Sequence, residues 1–130
     1  MPVTLKLRDN GRVLYYTFAD PWEIGDLTAL YPQSLDYLRS ANERIYTLAD
    51  VRNARRIPSG LLNARYGPDW SHPNGGEIVV VGASALLRTF ASIVFRLSNF
   101  EHIKFFDDEA EAWVYLRQVI ADETQMPTRT

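Results

Sequence analysis

The stretch RRIPSGLL, Arg55 to Leu62, sets two arginines, a proline and a serine-glycine step just after a strand-like run, RIYTLADV. A serine that opens a helix has two chemical uses. Its oxygen accepts a bond from an otherwise unpaired helical N–H, and a phosphate placed on it would meet free N–H groups and the positive end of the helix dipole. Ser59 is therefore read as a helix cap or a phosphorylation site. From Val51 to Pro68 the chain carries Arg52, Arg55, Arg56 and Arg65 and no acidic residue, a local positive run in a chain of net charge −2. Guanidinium forks suit carboxylates and phosphates, and ligands of open α/β sheets gather at the carboxyl ends of strands. Those arginines, with Gly60, are the candidate contacts for an anion or a partner. Pairing with Asp50 and the carboxylates of a neighbouring helix is the alternative.

Other residues that could do chemistry are sparse. The chain has no cysteine, which excludes disulfides, thiolate metal sites and cysteine nucleophiles. His72 and His102 are the two histidines, and neither has metal-ligand spacing to the other or to a carboxylate pair. Ser84, His102 and Asp107 make only a nominal triad, without a nucleophile elbow or oxyanion motif. Ser84, in VVVGASALLR, lacks the second glycine and the lysine of a phosphate loop and reads as a cap. Asp107, Asp108, Glu109 and Glu111 read as charges at a helix start. No catalytic set, metal or cofactor is expected. Phe95 falls beside Arg88 and Ser92 on the polar side of its helix, and Trp70 sits in a long loop. With Arg88, these two are candidates for a partner surface, or for the mouth of a pocket.

The elements that must position these residues follow from periodicity. VTLKLRDNGRVLYYTFAD alternates on both sides of Asn10-Gly11, the signature of a β-hairpin. DPWEIGDL reads as a helix start, with Asp20 as cap, Pro21 at the first helical position and Glu23 completing a capping box. Ile24, Leu27, Leu30 or Tyr31, Leu35 and Leu38 continue a helical stripe that Pro32 interrupts. RIYTLADV is the third strand, a short helix runs from Ser59 to about Tyr66, and GPDWSHPNGG is a turn-rich surface loop. EIVVVGAS has the continuous apolar character of a strand covered on both faces. Leu86, Phe90, Ile93 and Leu97 share one face of the next helix. IKFFDD is the last strand, and Ala112, Trp113, Leu116, Val119 and Ile120 form the buried stripe of the last helix. The expected fold is α/β: a single mixed, mostly parallel five-stranded sheet with an N-terminal β-hairpin and about four helices.

This order, with Asp50 ending a strand and Ser59-Gly60-Leu61 opening a helix, resembles the STAS domains of sulfate transporters and anti-sigma-factor antagonists. The acidic start of the last helix, DDEAEAWVYL, is similar too. The resemblance implies a STAS-like α/β fold and phosphorylation of Ser59 by a partner kinase, which would break a complex with an anti-sigma factor. The chain departs from the antagonist pattern by having Ile57-Pro58 where an acidic residue precedes the serine.

Composition bounds the rest. At 130 residues, 46% hydrophobic and 23% charged, the chain has the size and balance of one globular domain. Its net charge carries no signature of nucleic acid or an anionic membrane. No apolar stretch suits a signal peptide or a membrane span. The expectation is a cytoplasmic STAS-like domain over residues 1–123, with 124–130 a frayed tail. It is expected to be non-enzymatic and to regulate through another protein or a second copy in a homodimer. The contacts would be Arg55 to Arg65 and the helix from Ala85 to Asn99. The rival reading is a carrier for an acyl, lipid or phosphorylated compound, with its pocket under the Gly67 to Gly76 loop.

Overall fold

The structure is a computed structural model and describes residues 2–125, without the side chains of residues 65, 66, 124 and 125. Strands β1 (Val3–Arg8) and β2 (Val13–Ala19) form the hairpin. They are followed by helices α1 (Ile24–Thr28) and α2 (Tyr31–Ser40) and strand β3 (Ile45–Asn53). A 3-10 segment (Leu61–Tyr66), the short helix α3 (Pro68–Ser71), strand β4 (Gly75–Val81), helix α4 (Ala85–Leu97), strand β5 (Ile103–Phe106) and helix α5 (Glu109–Gln125) complete the chain. The strands lie side by side in chain order, β1 antiparallel to β2 and the rest parallel. This is the α/β sheet expected. Of the expected tail, residues 126–130 lie outside the described residues.

Alternation along the strands divides the core in two. One face of the sheet presents Leu14, Tyr16, Phe18, Thr47, Val51, Ile78 and Val80 to α1, α2, the 3-10 segment and α4. The other presents Val13, Tyr46, Leu48, Val79 and Val81 to α5 alone, through Ala112, Trp113 and Leu116. The continuous apolar run of β4 is thus consumed on both sides, as its pattern predicts.

Several local details differ from expectation. The hairpin loop spans residues 9–12 rather than two residues, with Asp9, Asn10 and Gly11 all in left-handed backbone. Pro32 does separate two helices, but the first starts later than expected. Glu23, not Asp20, is its N-cap, and its backbone N–H donates to Asp26 at 2.8 Å. Asp20 instead accepts from the backbone N–H groups of Arg55 and Arg56, at 2.9 and 3.2 Å, and so anchors the arginine loop.

Helix α4 is rotated relative to the face that its leucines suggest. Its buried residues are Leu87, Val94 and Phe95, while Leu86 and Leu97 are 58% and 54% exposed. Both ends are closed as helix chemistry predicts. Ser84 accepts from the Leu87 N–H at 3.2 Å. At the other end Asn99 takes left-handed backbone, and the N–H groups of Asn99 and Phe100 donate to the carbonyls of Arg96 and Phe95. This double closure sets the Phe100 ring 5.6 Å from that of Phe95.

Candidate functional site

The loop expected on the surface holds the most deeply buried carboxylate among the described residues. Asp69, in α3, is 1% exposed. Its Oδ1 accepts from the Tyr16 hydroxyl of β2 at 3.0 Å and from the Ser34 hydroxyl of α2 at 2.8 Å. Its Oδ2 accepts from the Thr47 hydroxyl of β3 at 2.9 Å. Burial pushes the Asp69 carboxyl above its ordinary value, and the three hydroxyl bonds offset that only in part. Tyr16 is pushed well up, by burial first and then by the neighbouring carboxylate.

The chain bends tightly to place this group. A side chain at Gly67 would run into the Trp70 ring, whose Cζ2 lies 2.2 Å from where a Cβ would sit. Trp70 is thereby held edge-to-face against Phe95, ring centres 5.2 Å apart at 87°, and against Tyr31 at 6.3 Å and 87°.

Next to the Asp69 cluster lies a cavity of about 100 Å³ between the sheet and α4. Its sheet side includes Phe18, Ala49 and Val80; its helical side includes Leu87, Ala91 and Phe95, with Trp22 and Trp70 from the connecting segments. Tyr16 and Thr47 line it too, but their hydroxyls donate to Asp69. Ala49 is in the central strand and still only partly buried, the mark of a floor that nothing fills. Phe95 and Trp70, read from sequence as a partner surface or a pocket mouth, both line this cavity. Phe95, 7% exposed, lies inside rather than on a surface.

The arginine run is brought together differently. Arg52 bonds Asp50 through two nitrogens, at 2.9 and 2.7 Å, and reaches Glu109 at 2.6 Å. Glu109 also accepts from the Trp113 indole at 3.0 Å. Burial alone would raise the Asp50 carboxyl, but the Arg52 fork and backbone N–H hold it below its ordinary value. Arg56 pairs with Glu23 at 2.9 Å, Arg88 lies 3.7 Å from Asp107, and Arg55 is exposed without an ion pair among the described residues. The Arg65 side chain lies outside the described residues. The alternative reading, internal pairing with Asp50 and a helix carboxylate, is therefore what Arg52 shows, and Arg56 pairs with the Glu23 cap of α1.

Ser59 is not the cap expected. The 3-10 segment starts from Gly60, whose φ of 76° is left-handed, and no side chain closes that start. Ser59 is exposed in the preceding turn. His72 accepts locally from the Asn74 N–H at 3.1 Å, and His102 is exposed beside Phe100. No group of side chains suited to a metal occurs among the described residues, and no helix of the structure is long and apolar enough to cross a membrane.

Sequence reasoning missed Asp69, although a signal was present. Ser34 falls on the apolar stripe of its helix, and Tyr16 and Thr47 fall at inward positions of their strands. Three hydroxyls aimed at one core require a buried acceptor. Comparison with known proteins adds no relative: no protein-family model, no curated protein and no solved structure matches the chain.

Replacing Asp69 by Ala strands three buried hydroxyls, each costing about 1–3 kcal/mol, so a loss of about 3 kcal/mol or more is expected in urea unfolding. Asp69→Asn keeps an acceptor and removes the buried charge. Because the folded carboxyl titrates above its unfolded value, its stabilising contribution is complete below the unfolded value and is lost as pH rises through the folded one. As pH rises from about 4, the unfolded value, wild type should therefore lose stability relative to Asp69→Asn. Parallel pH profiles for the two proteins would contradict this account.

Proposed function

We propose that the domain binds a small apolar ligand in the cavity between α4 and the sheet, and that it works by binding rather than by catalysis. The observation that carries this reading is the cavity itself. Protein interiors leave few voids larger than a water molecule, and an engineered apolar cavity of about 150 Å³ takes up benzene. A space of about 100 Å³ lined by aromatic and aliphatic side chains is of that kind. Two wider hollows, of about 320 and 440 Å³, mix apolar side chains with polar and charged ones. Some of the latter are already paired, as Arg12 is with Glu43 and Tyr46 with Glu123. The titratable group beside the cavity, Asp69, has both oxygens occupied, which favours binding over acid–base chemistry. A cytoplasmic setting belongs to the same proposal.

A second reading, a regulatory protein-interaction module, is favoured by the outward stripe of α4. Leu86 and Leu97 are exposed there with Phe90 and Ile93 half-buried between them, beside Arg88 and Arg96 and with no acidic residue from Ile78 to Phe100. The resemblance to STAS domains in element order and in the motif at Asp50 and Ser59-Gly60-Leu61 is in keeping with this second reading. The phosphorylation it implies requires a phosphate-sized mass increment on Ser59 in protein purified from its native source; unmodified Ser59 under every growth condition would remove that implication.

Two measurements separate the main readings. Toluene should raise the unfolding temperature of wild type. It should fail to do so for Ala91→Leu or Ala49→Val, which fill the cavity from opposite walls and should still unfold cooperatively. Equal shifts in all three proteins would place binding elsewhere. Leu86→Asp combined with Leu97→Asp should leave the toluene response intact and abolish any specific partner recovered from native lysate. A partner retained at equal yield would sink the α4 surface.

A further inference from the structure

Resting on the ligand-binding reading, we infer that the cavity selects uncharged, ring-sized aromatic or hydrocarbon compounds and refuses carboxylates and phosphates. Size sets the first limit. About 100 Å³ is the scale of a single ring rather than of a lipid chain. The wall sets the second. Among the described residues no lining side chain is basic, and the two lining hydroxyls, Tyr16 and Thr47, are turned away to Asp69 at 3.0 and 2.9 Å. The indole N–H of Trp22 is spent on the Arg56 carbonyl at 3.0 Å. An anion entering here would lose its water and find no donor in exchange, which is the most costly form of burial.

Charge sets the third limit. Asp69 stands directly behind the Tyr16 and Thr47 wall, and above its raised titration its carboxylate repels a second negative group in a medium of low dielectric. Two of the arginines that the sequence offers for such a group are engaged elsewhere: Arg52 with Asp50 and Glu109, Arg56 with Glu23. What the wall does offer is rings. Phe18 and Trp22 meet edge-to-face at 5.0 Å and 80°, and Trp70 and Phe95 at 5.2 Å and 87°. A flat ring entering beside these pairs extends the same packing geometry.

The test compares matched probes on the full chain at about pH 8: toluene and indole as neutral rings, benzoate and phenyl phosphate as anionic ones. Ligand-dependent shifts in two-dimensional NMR spectra and in unfolding temperature are read together. The neutral rings should bind at least about tenfold more tightly than the anions, a difference of about 1.4 kcal/mol. The gap should narrow in Asp69→Asn, which removes the charge behind the wall while keeping an acceptor for the hydroxyls. Benzoate binding as well as toluene, or a gap unchanged in Asp69→Asn, overturns the inference and leaves the ligand-binding reading standing. If none of the four probes perturbs residues of the cavity, both fall together.

Discussion

The carboxylate of Asp69 is the point on which the apolar half of this domain is assembled. A single side chain accepts hydroxyl bonds from β2, α2 and β3, elements that come from three separate stretches of chain. Without it each hydroxyl would be a buried donor with no partner; without the hydroxyls the carboxylate would be a buried charge with no solvation. The arrangement is therefore all-or-none. It also fixes the residue beside it. Because Asp69 is pinned to the sheet and Gly67 allows the chain to close over an indole, Trp70 is set against Phe95 of α4. The cavity next to them exists because the ring is held by this clamp rather than being free to collapse inward.

The opposite face of the sheet is held by different physics. Only α5 covers it, and its contact centres on Trp113, whose ring is flanked by the guanidinium groups of Arg8 and Arg117, each 4.7 Å away. Arg117 is in turn held by Asp9 of the hairpin loop at 2.9 Å. At the strand ends Arg52 bridges Asp50 to Glu109. One member of a patch that looks like a receptor for anions is thereby used to fasten α5 to β3. The titrations of the two aspartates oppose one another. The Asp50 contribution is present above its ordinary value and lost as pH falls through its lowered one, whereas that of Asp69 is lost as pH rises through its raised one.

Much of the fold was legible because it rests on periodicity. The run IVVV in β4 and Ala112, Trp113 and Leu116 of the α5 stripe are buried as their spacing predicts, whereas the first hairpin strand buries Val3 and leaves Leu7 39% exposed. The site was legible only in fragments, for identifiable reasons. GPDWSHPNGG has the composition of a surface turn, and nothing local in it reveals that Gly67, Pro68 and Asp69 face inward. That fact is encoded at a distance, in Ser34 and Thr47 occupying apolar positions. Ser59 carried the composition of a cap, but Gly60 took the left-handed turn that starts the 3-10 segment and so holds the cap position itself. Internal pairing of the arginines was foreseeable only as an alternative, since ion-pair partners far apart in sequence leave no periodic trace.

Helix α4 shows most clearly where periodicity stops being informative. Its sequence is apolar around more than half of its circumference, so two stripes satisfy the same pattern: Leu86, Phe90, Ile93, Leu97, and Leu87, Ala91, Val94, Phe95. A one-sided surface helix needs only one of them. The choice between them was made by Phe95, which is drawn inward by Trp70 and Phe100 on either side, and so indirectly by the Asp69 clamp. Turning the helix to bury Phe95 puts Ala91, with the smallest side chain of the inner stripe, over the small Ala49 on the sheet side of the cavity. It also leaves Leu86 and Leu97 facing out. The cavity and the exposed stripe are therefore two consequences of one rotation, and a molecule that filled the first would bear directly on the helix that displays the second.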